Sequence, residues 1–131
     1  MCGDLFHIGH LQFLEKCKQA CDFLIVGVIS DEGVARYKRK PIIPLAERMR
    51  IIGALKCVDR VVAQNERDPT ATMKNLAEKG DNIQLLFHGS NWHAVPGTEF
   101  IEGRGGKLFQ PPYYELQSTT NSIKKIRSCK Q

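Results

Sequence analysis

Apolar residues follow helical and extended spacings in alternation along this sequence. Leu11, Leu14 and Cys17 recur at the three-residue spacing of a helix within residues 10–20. Residues 23–29, Phe-Leu-Ile-Val-Gly-Val-Ile, form a short apolar run, which predicts a strand buried on both faces. Alternating helix and strand signals of this kind predict an α/β protein built on a parallel sheet.

The rest of the chain continues the alternation. Short strands are expected at residues 60–64, 83–88 and 107–110. The helices between these strands are bounded by polar N-cap residues and by Pro or Gly residues at their ends. They are predicted at residues 10–20, 31–37, 45–56 and 68–79, and a last helix begins at Ser118. We expect residues 1–131 to form one Rossmann-like domain, a single parallel sheet with helices on both faces.

The start of the chain does not fit this pattern. The loop from Gly3 to Gly9 requires a strand before it, and only Met1 to Gly3 precede it. We therefore expect a truncated first strand, either because the strand is nearly absent or because the sequence lacks a few upstream residues. Loss of a central strand would leave unpaired sheet edges.

Composition narrows the class of protein. The hydrophobic fraction of 42% and the charged fraction of 25% are ordinary for a soluble globular domain. No apolar run approaches the roughly 20 residues of a membrane span, and no signal peptide opens the chain, so a cytoplasmic protein is expected. Five cysteines without a CxxC pair indicate reduced thiols.

The net charge of +5 favours an anionic partner, which could be a nucleotide, a nucleic acid or a membrane surface.

Three polar clusters could carry chemistry. His7-Ile8-Gly9-His10 lies where a loop enters a helix, and backbone N–H groups there favour a polyphosphate, although a capping pair or half a metal site is also possible. The basic loop from Arg36 to Lys40, followed by Arg48, could bind phosphate oxygens or be a solvated surface. Ser118-Thr119-Thr120 is either a second anion site or a plain helix cap.

The first and third clusters each closely follow a strand signal. Ligands of parallel α/β folds bind at the carboxyl ends of the strands, so these clusters could converge on one triphosphate. No single cluster establishes that site.

Asp4-Leu5-Phe6-His7-Ile8-Gly9-His10 resembles the HxGH signature of the cytidylyltransferase family. The likeness extends through Tyr37–Pro44, Glu47-Arg48, His88–Trp92 and Tyr114–Thr120, nearest to the glycerol-3-phosphate cytidylyltransferases and the cytidylyltransferases of phosphonate biosynthesis. It implies transfer of CMP from CTP to a phosphate- or phosphonate-bearing small molecule, with Mg²⁺ carried by the triphosphate and no metal site on the protein. It also implies a homodimer, and from the sequence we expect no nucleic-acid partner and no membrane span.

The resemblance assigns roles by position. It implies that His7 and His10 stabilise charge at the α-phosphate and that Lys40 and Arg48 bind phosphates, and these four form the predicted catalytic set. Ser118, Thr119 and Thr120 would hold the leaving pyrophosphate, and Asp4 would position the metal or the loop. The predicted nucleotide-binding set is Asp4, Leu5, Phe6, Gly9, Lys38, Arg39, His88, Gly89, Asn91, Trp92, Gln117, Ser118, Thr119 and Thr120.

The base and the acceptor remain open at this point. Residues 118–126 also resemble the nucleotidyltransferase domains of ADP-heptose synthases, which use ATP, and an arginine that the family often carries before its Ser-Thr-Thr is absent here. Adenylyl transfer is therefore the alternative to cytidylyl transfer, and a non-catalytic nucleotide-binding module is a third hypothesis. We expect the loops Asn65–Thr70 and Asn91–Gly97 to select the acceptor.

Overall fold

Helices and parallel strands alternate along the chain, as the apolar pattern predicts. The computed structural model describes residues 1–89, 93–112 and 118–129. The elements in chain order are α1 (Ile8–Gln19), β1 (Ile25–Ile29), α2 (Asp31–Ala35), α3 (Leu45–Gly53), β2 (Arg60–Gln64), α4 (Thr70–Glu78), β3 (Leu85–Phe87), α5 (Thr98–Gly103), β4 (Lys107–Phe109) and α6 (Thr119–Ser128). The predicted α/β class with parallel strands is confirmed.

Helix α5 is the element that the apolar spacing does not reveal. It has six residues, and Ile101 is its buried residue, so it is too short to show a helical period. The helix follows Gly97, whose φ of 91° lies in the left-handed region that glycine adopts without strain.

The described strands form two hydrogen-bonded pairs. In the first, β1 lies parallel to β2, with Ile25 opposite Arg60. In the second, β3 lies parallel to β4, with Leu85 opposite Lys107. Residues of both pairs line one cavity of about 1250 Å³. This arrangement of two ladders differs from the continuous sheet that the sequence predicts.

Met1 pairs with β1 where the truncated first strand was expected. Its terminal ammonium donates to the Gly27 carbonyl at 2.6 Å, and the Ile29 amide donates to the Met1 carbonyl at 2.9 Å. The loop that begins at Gly3 therefore leaves from the edge of β1.

The core lies between β1 and the two helices α1 and α3. Val28 and Ile52 are fully buried, and Leu14, Cys17 and Val26 complete the centre of the cluster. Burial from both faces explains why β1 is apolar at nearly every position.

All five cysteines are free thiols, and burial raises the pKa of Cys17 to about 12, as for a packing residue.

None of the helices in residues 1–89, 93–112 and 118–129 has the length and apolar character needed to cross a bilayer.

Two adjacent isoleucines of α3 test the core. Ile52 is fully buried, whereas Ile51 is 43% exposed. We expect Ile52→Ala to lower the free energy of unfolding by about 2–5 kcal/mol, because it leaves a cavity against β1. Ile51→Ala should change it by less than about 1 kcal/mol. Urea unfolding followed by circular dichroism measures both, and equal losses would refute this description of the core.

Candidate functional site

His7 and His10 cap the N-terminus of α1 through reciprocal hydrogen bonds. The Gly9 amide donates to His7 Nδ1 at 3.0 Å, and the His7 amide donates to His10 Nδ1 at 3.1 Å. The ring centroids are 3.9 Å apart, and Phe6 stacks on His10 at 5.0 Å. The HxGH spacing thus satisfies two amides that the helix leaves without intrahelical partners.

The cap fixes the tautomer of both imidazoles. Because each Nδ1 accepts a backbone N–H, the ring proton of His7 and of His10 lies on Nε2. A second proton on either ring would remove the acceptor that the cap requires. Both residues line the cavity, and the cap does not use the Nε2–H of either neutral ring.

The electrostatic surroundings keep His10 neutral. The pKa of His10 is lowered to about 4, mainly by burial and to a smaller extent by His7, Lys38 and the Met1 ammonium, against an opposing contribution from Asp4. Burial also lowers the pKa of His7. The Met1 ammonium itself has a pKa lowered to about 6 by burial, with added repulsion from Arg48 and Lys38. At neutral pH both imidazoles are therefore uncharged, and Lys38 supplies positive charge to this end of the cavity.

The N-terminus of α6 enters the same cavity. Ser118 is its N-cap and accepts the Asn121 amide at 3.0 Å. Thr119 Oγ1 donates to the Asp4 carbonyl at 2.8 Å, which ties α6 to the loop before α1. Ser118, Thr119 and Thr120 all line the cavity, so the structure brings the first and third clusters together.

Asp4 anchors the basic loop. Its carboxylate is 2% exposed and accepts the amides of Ile42 at 3.0 Å and Ile43 at 2.9 Å, together with Arg39 Nη1 at 2.8 Å. Burial alone would raise the pKa of Asp4, but these hydrogen bonds and the Arg39 charge outweigh it and hold that pKa below its ordinary value. Of its two predicted roles, Asp4 performs the positioning of the loop.

The basic loop divides into different environments. Lys38 is exposed and lines the cavity. Arg39 also lines it, but its guanidinium is paired with Asp4. Lys40 is exposed and lies outside the cavity lining.

Arg48 is a positioning residue. It is 1% exposed, and Nε donates to the Ile43 carbonyl at 2.8 Å. Nη1 donates to the carbonyls of Cys2 at 2.6 Å and Ile29 at 2.9 Å, and Nη2 pairs with Asp31 at 2.6 Å. The predicted phosphate contact does not fit, because the side chain is buried and its donors serve protein acceptors. Arg48 instead joins the start of the chain, the end of β1 and the basic loop.

Of the remaining predicted residues, Gly9, His88 and Gly89 line the cavity, Leu5 does not, and three lie outside the described chain. Gly9 is buried in the lining, and Leu5 has a left-handed φ of 47° in the loop before α1. His88 and Gly89 line the cavity at the end of β3, and burial lowers the pKa of His88. Asn91, Trp92 and Gln117 lie outside the described residues.

Tyr37 and Arg67 are cavity residues to which the sequence analysis gave no individual role, although Arg67 lies in the loop Asn65–Thr70 that it expected to select the acceptor. Arg67 Cζ lies 4.8 Å from the centroid of the Tyr37 ring, and both residues line the cavity. Arg67 belongs to the loop after β2, which Gln64 secures by donating to the carbonyls of Glu66 at 2.7 Å and Arg67 at 3.2 Å. The sequence feature that could have identified Arg67 is its place just beyond the carboxyl end of a predicted strand, where ligands of parallel α/β folds bind.

The assembled site is suited to a polyphosphate. Two helix N-termini, two neutral imidazole donors and Lys38 meet in one cavity. No cluster of three His, Cys, Asp or Glu side chains that could hold a metal ion occurs in the part of the chain that the structure describes.

Comparison with known proteins identifies relatives of this arrangement. The sequence pattern of the cytidylyltransferase-like family matches residues 2–105. The chain is 38% identical to bifunctional protein HldE of Geotalea uraniireducens and 35% identical to that of Citrifermentans bemidjiense, in each case over 97% of this chain and 26% of the relative. The chain thus spans about a quarter of the length of these curated relatives.

A solved structure has the same fold. The crystal structure of the lipopolysaccharide core biosynthesis protein from Thermoplasma volcanium matches with a TM-score of 0.65 and 25% sequence identity. The match covers 89% of this chain and 93% of that one.

Replacement of Arg48 by Met tests its positioning role. We expect Arg48→Met to lower the free energy of unfolding by about 3 kcal/mol or more, because buried carbonyls and Asp31 lose their donor. The control is Arg50→Met, which alters an exposed arginine of the same helix. Chemical denaturation of both variants measures the difference, and a negligible loss in Arg48→Met would contradict the role.

The pH dependence of stability tests the neutral state of His10. Its pKa in the folded protein is about 4, below the ordinary 6.5, so the unfolded chain binds the proton first as the pH falls. Stability should therefore decline as the pH drops from about 6.5 towards 4, by up to about 3 kcal/mol from this group. In His10→Asn, whose amide oxygen can accept the same backbone N–H, urea unfolding at pH 7 and pH 5 should show a smaller decline. An undiminished decline would show that His10 is not the titrating group.

Proposed function

The chain belongs to the cytidylyltransferase-like family of nucleotidyltransferases, and from that premise we propose that it transfers a nucleoside monophosphate from a triphosphate to the phosphate of a small molecule. The observation that carries the proposal is the meeting of the His7–His10 pair with the N-termini of α1 and α6 in one cavity.

Catalysis in this proposal consists of positioning and charge stabilisation. An oxygen of the acceptor phosphate attacks the α-phosphorus, and the bond from that phosphorus to the bridging oxygen of the leaving pyrophosphate breaks. The Nε2–H groups of His7 and His10 donate to the oxygens at the α-phosphate, where negative charge builds up. The N-terminal amides of α6 and the Thr120 hydroxyl hold the β- and γ-phosphates as they leave. No side chain forms a covalent intermediate.

We place ATP ahead of CTP as the nucleotide. The segment from Ser118 to Ile126 resembles the ATP-using nucleotidyltransferase domains of ADP-heptose synthases. The two relatives described above, which align over 97% of this chain, are bifunctional HldE proteins, and we take this as support for the ATP-using alternative. CTP is the second candidate, since the family pattern is cytidylyltransferase-like.

The acceptor that we propose is a sugar phosphate. The similar solved structure is that of a lipopolysaccharide core biosynthesis protein, and such cores are built from sugars. A phosphonate acceptor is the competing hypothesis. Mg²⁺ enters as part of the triphosphate substrate, because the Asp4 carboxylate is already occupied by three protein donors.

Pyrophosphate release from each of the four nucleoside triphosphates, with Mg²⁺ and a panel of sugar phosphates and phosphonates, tests this function. We expect release that depends on ATP, on Mg²⁺ and on a sugar phosphate. His10→Ala should lower kcat by about 10²- to 10³-fold, as for loss of one charge-stabilising donor. Arg50→Ala, which alters an exposed residue of α3 outside the cavity lining, is the control.

Two outcomes would contradict the proposal. Nucleotide binding without turnover on any acceptor would indicate a binding module, and a His10→Ala variant with wild-type kcat would refute the mechanism. Release with CTP in place of ATP would leave the mechanism intact and reverse the assignment of the nucleotide.

A further inference from the structure

We propose that the side-chain oxygen of Gln64 accepts a hydrogen bond from a hydroxyl group of the sugar phosphate and so helps to select the acceptor. This inference rests on the proposed function and specifies one contact of the site. Gln64 is the last residue of β2 and belongs neither to the HxGH motif nor to the Ser-Thr-Thr motif, and the family resemblance assigns no role to it.

The loop that follows β2 fixes the orientation of the Gln64 amide. Gln64 is 6% exposed, and its Nε2 donates to the carbonyls of Glu66 at 2.7 Å and Arg67 at 3.2 Å. Rotation of the amide by half a turn would bring Oε1 against these two carbonyl oxygens and lose both hydrogen bonds. The protein therefore determines where Oε1 lies.

Gln64 Oε1 has no donor from the protein. Within residues 1–89, 93–112 and 118–129, no group donates a hydrogen bond to this oxygen. In the same part of the chain, every side-chain oxygen or nitrogen that is sealed from solvent has a partner, so Oε1 is open to the cavity that Gln64 lines. A polar atom of a nearly buried residue requires such a partner, and here a molecule in the cavity must supply it.

Gly27 makes room for this oxygen. A Cβ at Gly27 would lie 2.5 Å from Gln64 Oε1, which is closer than van der Waals contact allows. Gly27 lies opposite Val62 in the ladder and Ile29 lies opposite Gln64, so these four residues face the same side of the β1–β2 pair. All four line the cavity. Gln64 thus places one hydrogen-bond acceptor on a wall whose other members are glycine and aliphatic residues.

The chemistry of this wall favours a neutral donor. An amide oxygen carries no formal charge and only accepts hydrogen bonds, so it suits a hydroxyl group and offers no attraction to a phosphate. A sugar ring carries its hydroxyl groups on an apolar C–H frame. One acceptor within an aliphatic wall matches that combination, because a few fixed polar groups in an apolar pocket set the orientation of a ligand.

The position of Gln64 assigns the hydroxyl to the acceptor. Met1 bonds to one edge of β1 through the Gly27 carbonyl and the Ile29 amide, and β2 lies on the other edge. Helix α6 is tied to the loop after Met1 through Asp4. In the proposed function the leaving pyrophosphate lies at α6, and in-line displacement brings the attacking oxygen from the opposite side of the α-phosphorus. A sugar that attacks from that side extends over β1 towards Gln64.

Chemical-shift titration of ¹⁵N-labelled protein with matched probes tests this contact. Glucose 1-phosphate and mannose 1-phosphate represent the sugar phosphate, methyl phosphate carries the phosphate without sugar hydroxyls, and Mg²⁺-ATP represents the triphosphate. We expect Gln64→Met to weaken binding of the better-bound sugar phosphate by about threefold to tenfold, because one hydrogen bond between neutral groups is lost. Binding of methyl phosphate and of Mg²⁺-ATP should change by less than about twofold.

Gly27→Ala tests the same contact without altering Gln64. Its methyl group would take the place of Oε1, so we expect the same selective loss, and little further loss when it is combined with Gln64→Met. The matched control is Gly103→Ala, because a Cβ at Gly103 would meet nothing within 4 Å among the described residues outside its own helix. Thermal unfolding of each variant establishes that the fold is intact before the affinities are compared.

The outcomes separate this contact from the proposed function. Unchanged affinity for both sugar phosphates in Gln64→Met, equal weakening of methyl phosphate, or a loss confined to Mg²⁺-ATP would overturn the role of Gln64. Failure of the wild-type protein to bind either sugar phosphate at millimolar concentration would also overturn it. Selective loss of sugar phosphate binding in a protein that releases no pyrophosphate from any triphosphate would instead support the contact and refute the proposed function.

Discussion

The buried carboxylate of Asp4 is the interaction on which the arrangement of the site depends. Removal of this charge from water is costly, and the hydrogen bonds from Ile42, Ile43 and Arg39 offset that cost. The carbonyl of the same residue accepts the Thr119 hydroxyl. One residue thus joins three segments that are far apart in sequence: the loop before α1, the basic loop and the start of α6. Without that junction, two helix N-termini and Lys38 would not face one cavity.

In each histidine of the His7–His10 pair, the two ring nitrogens have different uses. Each Nδ1 caps the start of α1, and each Nε2–H remains for a ligand. Burial and the positive charges nearby keep His10 neutral, so the site acts through donors and the helix ends while Lys38 supplies the charge. A protonated pair would attract phosphate more strongly but would lose the cap that orients it. The geometry therefore fixes the direction of two neutral donors and does not maximise the positive charge of the imidazoles. Donors fixed in this way can stabilise negative charge that develops only in a transition state.

The sequence predicted most of the fold because apolar periodicity reports burial, and β2 has its predicted bounds while α1 and β1 are displaced by a few residues at their ends. It also predicted the meeting of the histidine and Ser-Thr-Thr clusters, because parallel strands bring their carboxyl ends to one edge. Arg48 shows the limit: a basic residue in a motif reads as a phosphate ligand, and only the packing reveals that backbone carbonyls surround it. Arg67 shows the converse, since its relation to Tyr37 depends on a loop conformation that no local pattern encodes.

The most direct test of this account is the protonation state of the two histidines, read by nuclear magnetic resonance of protein labelled with ¹⁵N-histidine. We expect His7 and His10 to be neutral Nε2–H tautomers at pH 7, and their Nε2 resonances to shift when Mg²⁺-ATP is added. Nδ1–H tautomers, imidazolium rings at pH 7, or Nε2 resonances that do not respond to saturating nucleotide would contradict the claim that this pair both caps α1 and binds the triphosphate.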